Sequence, residues 1–586
     1  MEKILSLHIG HDATALFLDD EGILAISEER VTRIKNFHGF PFNAINEIFK
    51  IKKLNWNHIT KLVITSKYLK TLKSYKLLSL FKGESEDYSN EVSFKKRRDY
   101  FKYFFKKKIS FHEHLKIFLK KKLYYGKVIY LDHHLCHVAS SYAMFPLKKC
   151  FFLSLDGGGD SKNWTLQNMK RGKFKCLEKN HNENNIIYDS PADIYSNTCK
   201  FLGFKRNQDE GKLMGLAATG NPKCKDYFDN LLKFENGQFY SKLGSQKSKN
   251  FLVKIYKLIN FLLFGITYDK SQINDMKKKL KCFESRDIAC SLQIWCEEII
   301  LKLLDFYKKK YNFKNFSLLL SGGFFANILV NKKIREQKLF KKILVTPNMG
   351  DGGLTLGGAF IVSNKVLKKK YFSKIKKNIF FGPEYRELDF SKSSKFKDFK
   401  IIKSNLNEIS EVISDELVRN KIIGIFNYKM EFGPRALCSR SILANPKNLE
   451  MVSTLNKRLK RSEYMPFGPI IRDIDAQNFL KGFDSNDYSS LFMTTAYKTI
   501  NSLQQIAPCV VHIDLTARPQ VLNKKENQLC YKILSKFYSR TKIPVLINTS
   551  FNVHEEPIVM KPEDCIEPLK TRVIDTLVIN NFIIKY

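Results

Sequence analysis

The sequence predicts an α/β protein in which a duplicated α/β unit is followed by a second α/β domain. Two observations lead there. A strand, acidic turn and strand at residues 3–30 return at 150–176, each opening a half of the N-terminal portion. A chain of 586 residues is too long for one core. The lysine-rich run at 363–378 reads as a linker, separating residues 1–362 from 379–586.

Each element follows from local pattern. K-I-L-S-L-H-I-G-H-D opens the chain as a strand, A-T-A-L-F-L and I-L-A-I-S-E-E-R follow, and D-D-E-G turns between them. Residues 65–125 form an insert dense in Lys, Phe and Tyr. It reads as an RNA-facing surface or, in better accord with the helical spacing of its aromatics, as ordinary amphipathic helix. At 150–160 the apolar run C-F-F-L-S-L ends in the glycine-rich turn D-G-G-G-D. A second insert covers roughly 223–285. Apolar spacing at 288–304 marks a strong helix, feeding the strand S-L-L-L and the loop Ser321-Gly322-Gly323 before a helix carrying Asn327. Such a junction presents backbone N–H groups to an anion or nucleotide, or is a plain tight turn.

Composition narrows the function classes. Hydrophobic residues at 44% and aromatics at 13% support globular folding. The net charge of +42 raises nucleic acid or an anionic membrane as partners. Its lysines are spread through the chain, though, as solvated faces are, so nucleic acid is disfavoured as partner. The 12 cysteines are scattered singles without a C-x-x-C pair, which points to a reduced, cytoplasmic protein. The start carries no signal peptide pattern, and the most apolar stretch, Leu258 to Ile266, is too short to span a bilayer.

One cluster carries metal chemistry. In H-H-L-C-H, His133 and His137 at i, i+4 share one face of a helical turn. Asp156 follows the apolar run, and Asp351 lies in N-M-G-D-G-G. Two His and two Asp suit iron(II), manganese or zinc alike. The second domain holds a different set. Arg435 follows the rigid turn Glu431-Phe432-Gly433-Pro434; Lys457, Arg458, Lys460 and Arg461 crowd 456–469; Arg518 lies in H-I-D-L-T-A-R; and Asn548 and Ser550 sit in N-T-S-F-N. Arginine and lysine with Asn, Thr and Ser at strand ends suit phosphate and carboxylate in a small pocket.

The duplicated unit looks like the actin/sugar-kinase/Hsp70 fold. More specifically, the chain resembles the NodU/CmcH carbamoyltransferase family. The matching segments are H-D-A-T-A, S-E-E-R-V-T-R-I-K, H-H-L-C-H, D-G-G-G-D, E-G-K-L-M-G-L-A, S-G-G-F-F-A-N, G-D-G-G, M-E-F-G-P-R-A-L, P-F-G-P and N-T-S-F-N, in order over nearly the whole chain. The resemblance implies an actin-like (ASKHA, TsaD-like) N-terminal domain and a C-terminal YrdC-like twisted-sheet domain. It implies that carbamoyl phosphate and ATP, with magnesium accompanying the ATP, give carbamoyl adenylate in the C-terminal domain. The N-terminal domain, holding iron(II) or a similar ion, then moves the carbamoyl group to a hydroxyl of a sugar or sugar-containing natural product. His11 is then the general base toward that hydroxyl. Glu210, Lys212 and Asn327 fall at nucleotide contacts. Arg435, Lys460, Arg461, Arg518 and Ser550 serve carbamoyl phosphate and ATP, with Arg435 and Lys460 in catalytic roles. A homodimer is left open.

The chain departs from the family pattern at four places. Cys438-Ser439 replaces the G-N common after E-F-G-P-R-A-L. Ser462 and Met465 replace two arginines, with Arg461 as the compensating residue, and Leu515 stands where glycine is common. These departures leave an altered donor open. Two other functions compete: a tRNA threonylcarbamoyladenosine-type modification enzyme, and a basic nucleic-acid-binding protein on a degenerate nucleotide fold. M-E-F-G-P-R-A-L favours the carbamoyltransferase.

Overall fold

The computed structural model describes residues 2–71, 110–170, 172–180, 189–241, 268–372, 378–385, 394–461 and 467–586. The centres of both inserts, the apolar stretch 258–266, and Ser462 and Met465 lie outside the described residues.

Strands β1 (Ile4–His8), β2 (Thr14–Leu18) and β3 (Ile23–Ser27) form an antiparallel meander. Parallel strands β4 (Lys61–Ile64) and β5 (Lys127–Tyr130) extend it in the order β3-β2-β1-β4-β5. The second sheet repeats this plan. Strands β6 (Cys150–Gly159), β7 (Lys162–Lys170) and β8 (Lys173–Lys179) form the meander, and the parallel strands Ser317–Ser321 and Lys342–Val345 extend it from β6. The predicted duplication is therefore one of topology. Strands β1 and β2 are buried at every position, which is why they read as continuous apolar runs rather than alternating ones.

Helices His133–Met144 and Leu354–Val362 pack between the two sheets. A Cβ on Gly357 would run into the Cys136 carbonyl, and one on Gly358 would meet Ser6 and Val63. These two glycines are what let the helices and the first sheet approach so closely. One apolar cluster joins Ile4, Leu16 and Val63 of the first sheet to Phe152, Leu319 and Leu344 of the second.

The C-terminal portion is an eight-stranded mixed sheet. Its order is Lys400–Lys403, Phe582–Lys585, Thr576–Ile579, Ile423–Phe426, Arg440–Ala444, Val545–Ser550, Gly468–Arg472, Gln520–Leu522. Helices Leu406–Val418 and Gln528–Thr541 bury apolar faces in its core.

Three local expectations change. The D-G-G-G segment continues β6 through a bulge between Leu155 and Gly159, and the chain reverses only at Asp160 and Ser161, with φ of 47° and 64°. Asn327 caps the helix Ile328–Glu336 from outside rather than lying within it. The described part of the lysine-rich stretch is not a free linker. Leu367 and Phe372 are buried, in the same apolar cluster as Phe432, Leu437, Phe492 and Met493 of the C-terminal portion. Leu367 and Phe372 turn inward while Val366 stays exposed, and Lys368 and Lys370 donate to the carbonyls of Ile361 and Asp20.

Candidate metal centre and arginine site

Asp132 caps the helix His133–Met144 by accepting from the Leu135 N–H at 2.9 Å, and Lys162 pairs with the same carboxylate. This fixes the first helical turn, where His133 and His137 project together. Between them, His134 points elsewhere, bonded to Ser154 at 2.8 Å and to the Lys162 carbonyl at 3.1 Å. Asp160 accepts from the His133 N–H and from the backbone of Lys67 and Tyr68, each at 2.8 Å. The last aspartate of D-G-G-G-D thus joins this helix to the turn after β4.

One ligand atom from each of His133, His137, Asp156 and Asp351 lies within 4.8 Å of the others. His137 Nε2 is 3.2 Å from Asp156 Oδ2 and 3.5 Å from Asp351 Oδ1; His133 Nε2 is 4.0 and 3.5 Å from the same oxygens. His133 Nε2 and Asp351 Oδ1 are buried without a hydrogen-bond partner among the described residues. Two orphaned buried donor atoms facing each other fit a cation between them, since such atoms are otherwise costly. The structure brings these four residues together, Asp351 from far downstream in the chain.

Two more histidines complete the cluster. His11 Nε2 lies 3.3 Å from Asp351 Oδ2, and its Nδ1 lies 3.5 Å from Asp12. Its side chain is 43% exposed, so it forms the open rim of an otherwise closed site. His8, which the sequence did not single out, closes the floor at 3.4 Å from Asp351, with its other nitrogen 3.2 Å from Thr65. Burial pulls His8 down to about 4. Burial works against His11 and His137 too, but the carboxylates outweigh it, raising them to about 10 and about 9. Burial and mutual repulsion push Asp156 and Asp351 up, yet the histidines hold both below the ordinary range. The two carboxylates thus draw positive charge toward themselves, from imidazoles or from a bound cation.

The predicted nucleotide contacts are placed as follows. Gly322 has φ +101° and donates to the Met349 carbonyl at 2.8 Å; a Cβ there would strike the Leu155 carbonyl. Gly323 donates to Asp156 Oδ2 at 3.1 Å. The N–H groups expected to face an anion instead turn to the protein's own acceptors, and one of them orients a metal-site carboxylate. Ser321 is buried in the strand alongside Ser154. Asn327 accepts from Leu329 and Val330 as a cap and donates to Gln293 at 2.8 Å. Glu210 accepts from Ser196 and Asn207, and burial raises its carboxyl. Lys212 pairs with Asp209 at 2.9 Å and lies 3.4 Å from His554 of the C-terminal sheet domain.

In that domain, Arg461 donates to Thr549 at 2.6 Å and to Ser550 at 2.9 Å. Burial lowers Arg435 and Arg461 to about 10 each, and burial plus both of those neighbours lowers Arg518 well below the usual arginine value. The Nε atoms of Arg435 and Arg518 are buried without hydrogen-bond partners among the described residues. Burial and the repulsion felt by Arg518 give these three guanidiniums a chemistry that suits an anion. Asn548 donates to the Ala436 carbonyl at 3.2 Å and to Gln520 at 2.8 Å. Lys460 is exposed at the residue before Arg461, with φ +54°. Sequence reading missed Glu431, whose buried carboxylate accepts from the N–H groups of Leu437 at 2.7 Å and Arg440 at 3.1 Å. Its place in M-E-F-G-P-R-A-L was the available signal.

The histidines and aspartates thus gather in the duplicated α/β domain, and the buried arginines in the domain that follows it. Residues 3–360 match the family described as Carbamoyltransferase N-terminus, and residues 414–586 match that described as Carbamoyltransferase C-terminus. The chain belongs to the carbamoyltransferase family. It is similar to an uncharacterized protein of Methanocaldococcus jannaschii, 30% identical over 597 residues and covering 99% of each chain. It is also similar to the nodulation protein NolNO of Sinorhizobium fredii, 29% identical over 467 residues, covering 78% of this chain and 64% of that one. Among solved structures, component A of the (R)-2-hydroxyglutaryl-CoA dehydratase of Acidaminococcus fermentans aligns with 64% of this chain and 100% of its own. Identity there is 10% and the TM-score 0.33. Among the described residues, no helix is long and apolar enough to cross a membrane.

Proposed function

We propose that this chain is an ATP-dependent O-carbamoyltransferase that works in two half-reactions. The observation that carries the reading is the pairing of an arginine anion site with a histidine–aspartate cation site in one member of this family. The C-terminal domain, which we read as YrdC-like, forms carbamoyl adenylate. Carbamoyl phosphate yields phosphate to one water, and the resulting carbamate oxygen attacks the α-phosphorus of ATP and expels pyrophosphate. Arg435, Arg461 and Arg518 bind the phosphate oxygens beside Ser550 and Asn548, and Lys460, exposed next to Arg461, adds its charge to theirs.

The N-terminal domain, which we read as actin-like, performs the transfer. An acceptor hydroxyl on a sugar or sugar-containing metabolite attacks the carbamoyl carbon, its proton passes to His11, and AMP leaves. His11 suits this role because it alone among the cluster's histidines opens to solvent. His133, His137, Asp156 and Asp351 would hold a divalent ion, iron(II) by preference. Such an ion supplies Lewis-acid polarisation of the adenylate and cancels the carboxylate charge that otherwise keeps His11 protonated.

The decisive experiment incubates the protein with ATP, carbamoyl phosphate and iron(II) and looks for carbamoyl adenylate by mass spectrometry. Its formation is the expected result. Absence of the product with iron, manganese and zinc alike would sink the reading.

A further inference from the structure

Arg30 belongs to the metal-bearing domain, in the short helix Glu28–Thr32, and is only 4% exposed. Its Nη2 donates to the carbonyl of Gly433 at 3.0 Å, across 403 positions of sequence. Gly433 sits two residues before Arg435 and has φ +147°, a conformation that side chains other than glycine's rarely adopt. A Cβ placed there would lie 3.4 Å from both the Pro347 carbonyl and the Asn348 side chain. Those two residues precede Asp351 in the metal-ligand loop. On the other side the turn is anchored within its own domain by Glu431, which holds the N–H groups of Leu437 and Arg440, while Phe432 donates at 2.8 Å to the carbonyl of Ile379, in a segment that accepts from Ala25 of β3. The segment carrying Arg435 is thus clamped at its ends by the C-terminal domain and at its apex by the N-terminal one.

We propose that Arg30 is a positioning residue for the arginine anion site, because it fixes the Gly433 carbonyl and so aims Arg435 from the neighbouring domain. A carbonyl released from a buried guanidinium would let the Gly433 ψ shift, and because Pro434 locks its own φ, that shift would carry directly to the backbone of Arg435. A small misplacement of a binding group weakens a site by more than a single hydrogen bond is worth. The inference rests on the reading of Arg435 as an anion-binding residue. It gives a domain-crossing residue a local effect that a simple tether would not have.

Arg33 is the natural control. It also crosses the domains, donating to the Ile558 carbonyl at 2.9 Å and facing Glu556 at 3.6 Å, but it grips a different loop. Full-length Arg30→Gln and Arg33→Gln are compared by calorimetric titration with inorganic phosphate, alongside thermal unfolding. We expect Arg30→Gln to weaken phosphate binding at least about tenfold, and Arg33→Gln to leave it within about twofold at a comparable loss of melting temperature. Arg30→Lys should recover part of the affinity, since one donor can still reach the carbonyl, and it carries the test if the glutamine variant does not fold. Equal phosphate affinity in wild type and the Arg30 variants overturns the proposal, as does equal weakening by Arg30→Gln and Arg33→Gln. Phosphate binding is read without turnover, so failure of the carbamoyl adenylate reading would be seen separately, in the wild type.

Discussion

At the residue scale, the two departures from the family pattern in described segments share a conformational meaning. Cys438 and Leu515 stand where glycine is common in the family, and both hold left-handed backbone, with φ of 68° and 62°. An L-residue there costs roughly 1–2 kcal/mol per position. Their side chains offset that cost differently. Cys438 is fully buried, with Sγ 3.3 Å from the Gln520 oxygen. Leu515 is 41% exposed, and its backbone makes the bonds, its N–H donating to the His512 carbonyl and its own carbonyl accepting from Thr499. Leu515→Gly should therefore stabilise the protein by on the order of 0.5–1 kcal/mol, the relief of strain exceeding the entropy glycine loses on folding. A higher urea midpoint for Leu515→Gly is the expected reading, with little or no gain for Cys438→Gly, which vacates a buried thiol position. A lowered midpoint for Leu515→Gly would mean that its part-buried side chain matters more than its backbone angle.

At the scale of elements, the metal cluster depends on how β6 meets the helix His133–Met144. Gly159, at the end of β6, lies so close to His133 that a Cβ there would overlap the imidazole ring. Gly159→Ala should push that ring away from Asp351 and cut metal affinity by about tenfold to a hundredfold, as removal of a ligand's supporting partner typically does. Equilibrium dialysis with iron(II) or zinc measures this directly. Unchanged affinity would place the strain in the strand instead of the histidine. The same junction indicates what a sequence makes legible. The i, i+4 histidines and the strands of the paired meanders are readable because each is encoded in a short local run. D-G-G-G reads as a turn because glycine permits both turn and strand, and only pairing with β7 selects the strand. His8 escapes notice because nothing local distinguishes a strand-end histidine; its partner Asp351 is brought to it by the second half of the chain. Arg30 is hidden for the same reason, its partner Gly433 lying 403 positions away.

At the scale of the molecule, the shared apolar cluster and the Gly433 turn fasten the two centres into one body, yet their chemistry remains separable. On the proposed function the arginines take an anion, and the histidines and aspartates a cation. Arg435→Ala should therefore abolish ATP-dependent formation of carbamoyl adenylate, because a charge-assisted bond to a reacting anion is worth several kcal/mol. His137→Ala should leave that half-reaction largely intact and block delivery to the acceptor, since the His137 Nε2 faces Asp156 and Asp351 rather than any of the arginines. Chemically made carbamoyl adenylate should then restore product with Arg435→Ala but not with His137→Ala. The opposite rescue pattern would reverse the assignment of half-reactions to domains. Equal loss of both half-reactions in both variants would instead mean that the two clusters act on one composite site, with the Gly433 turn as its hinge rather than its partition.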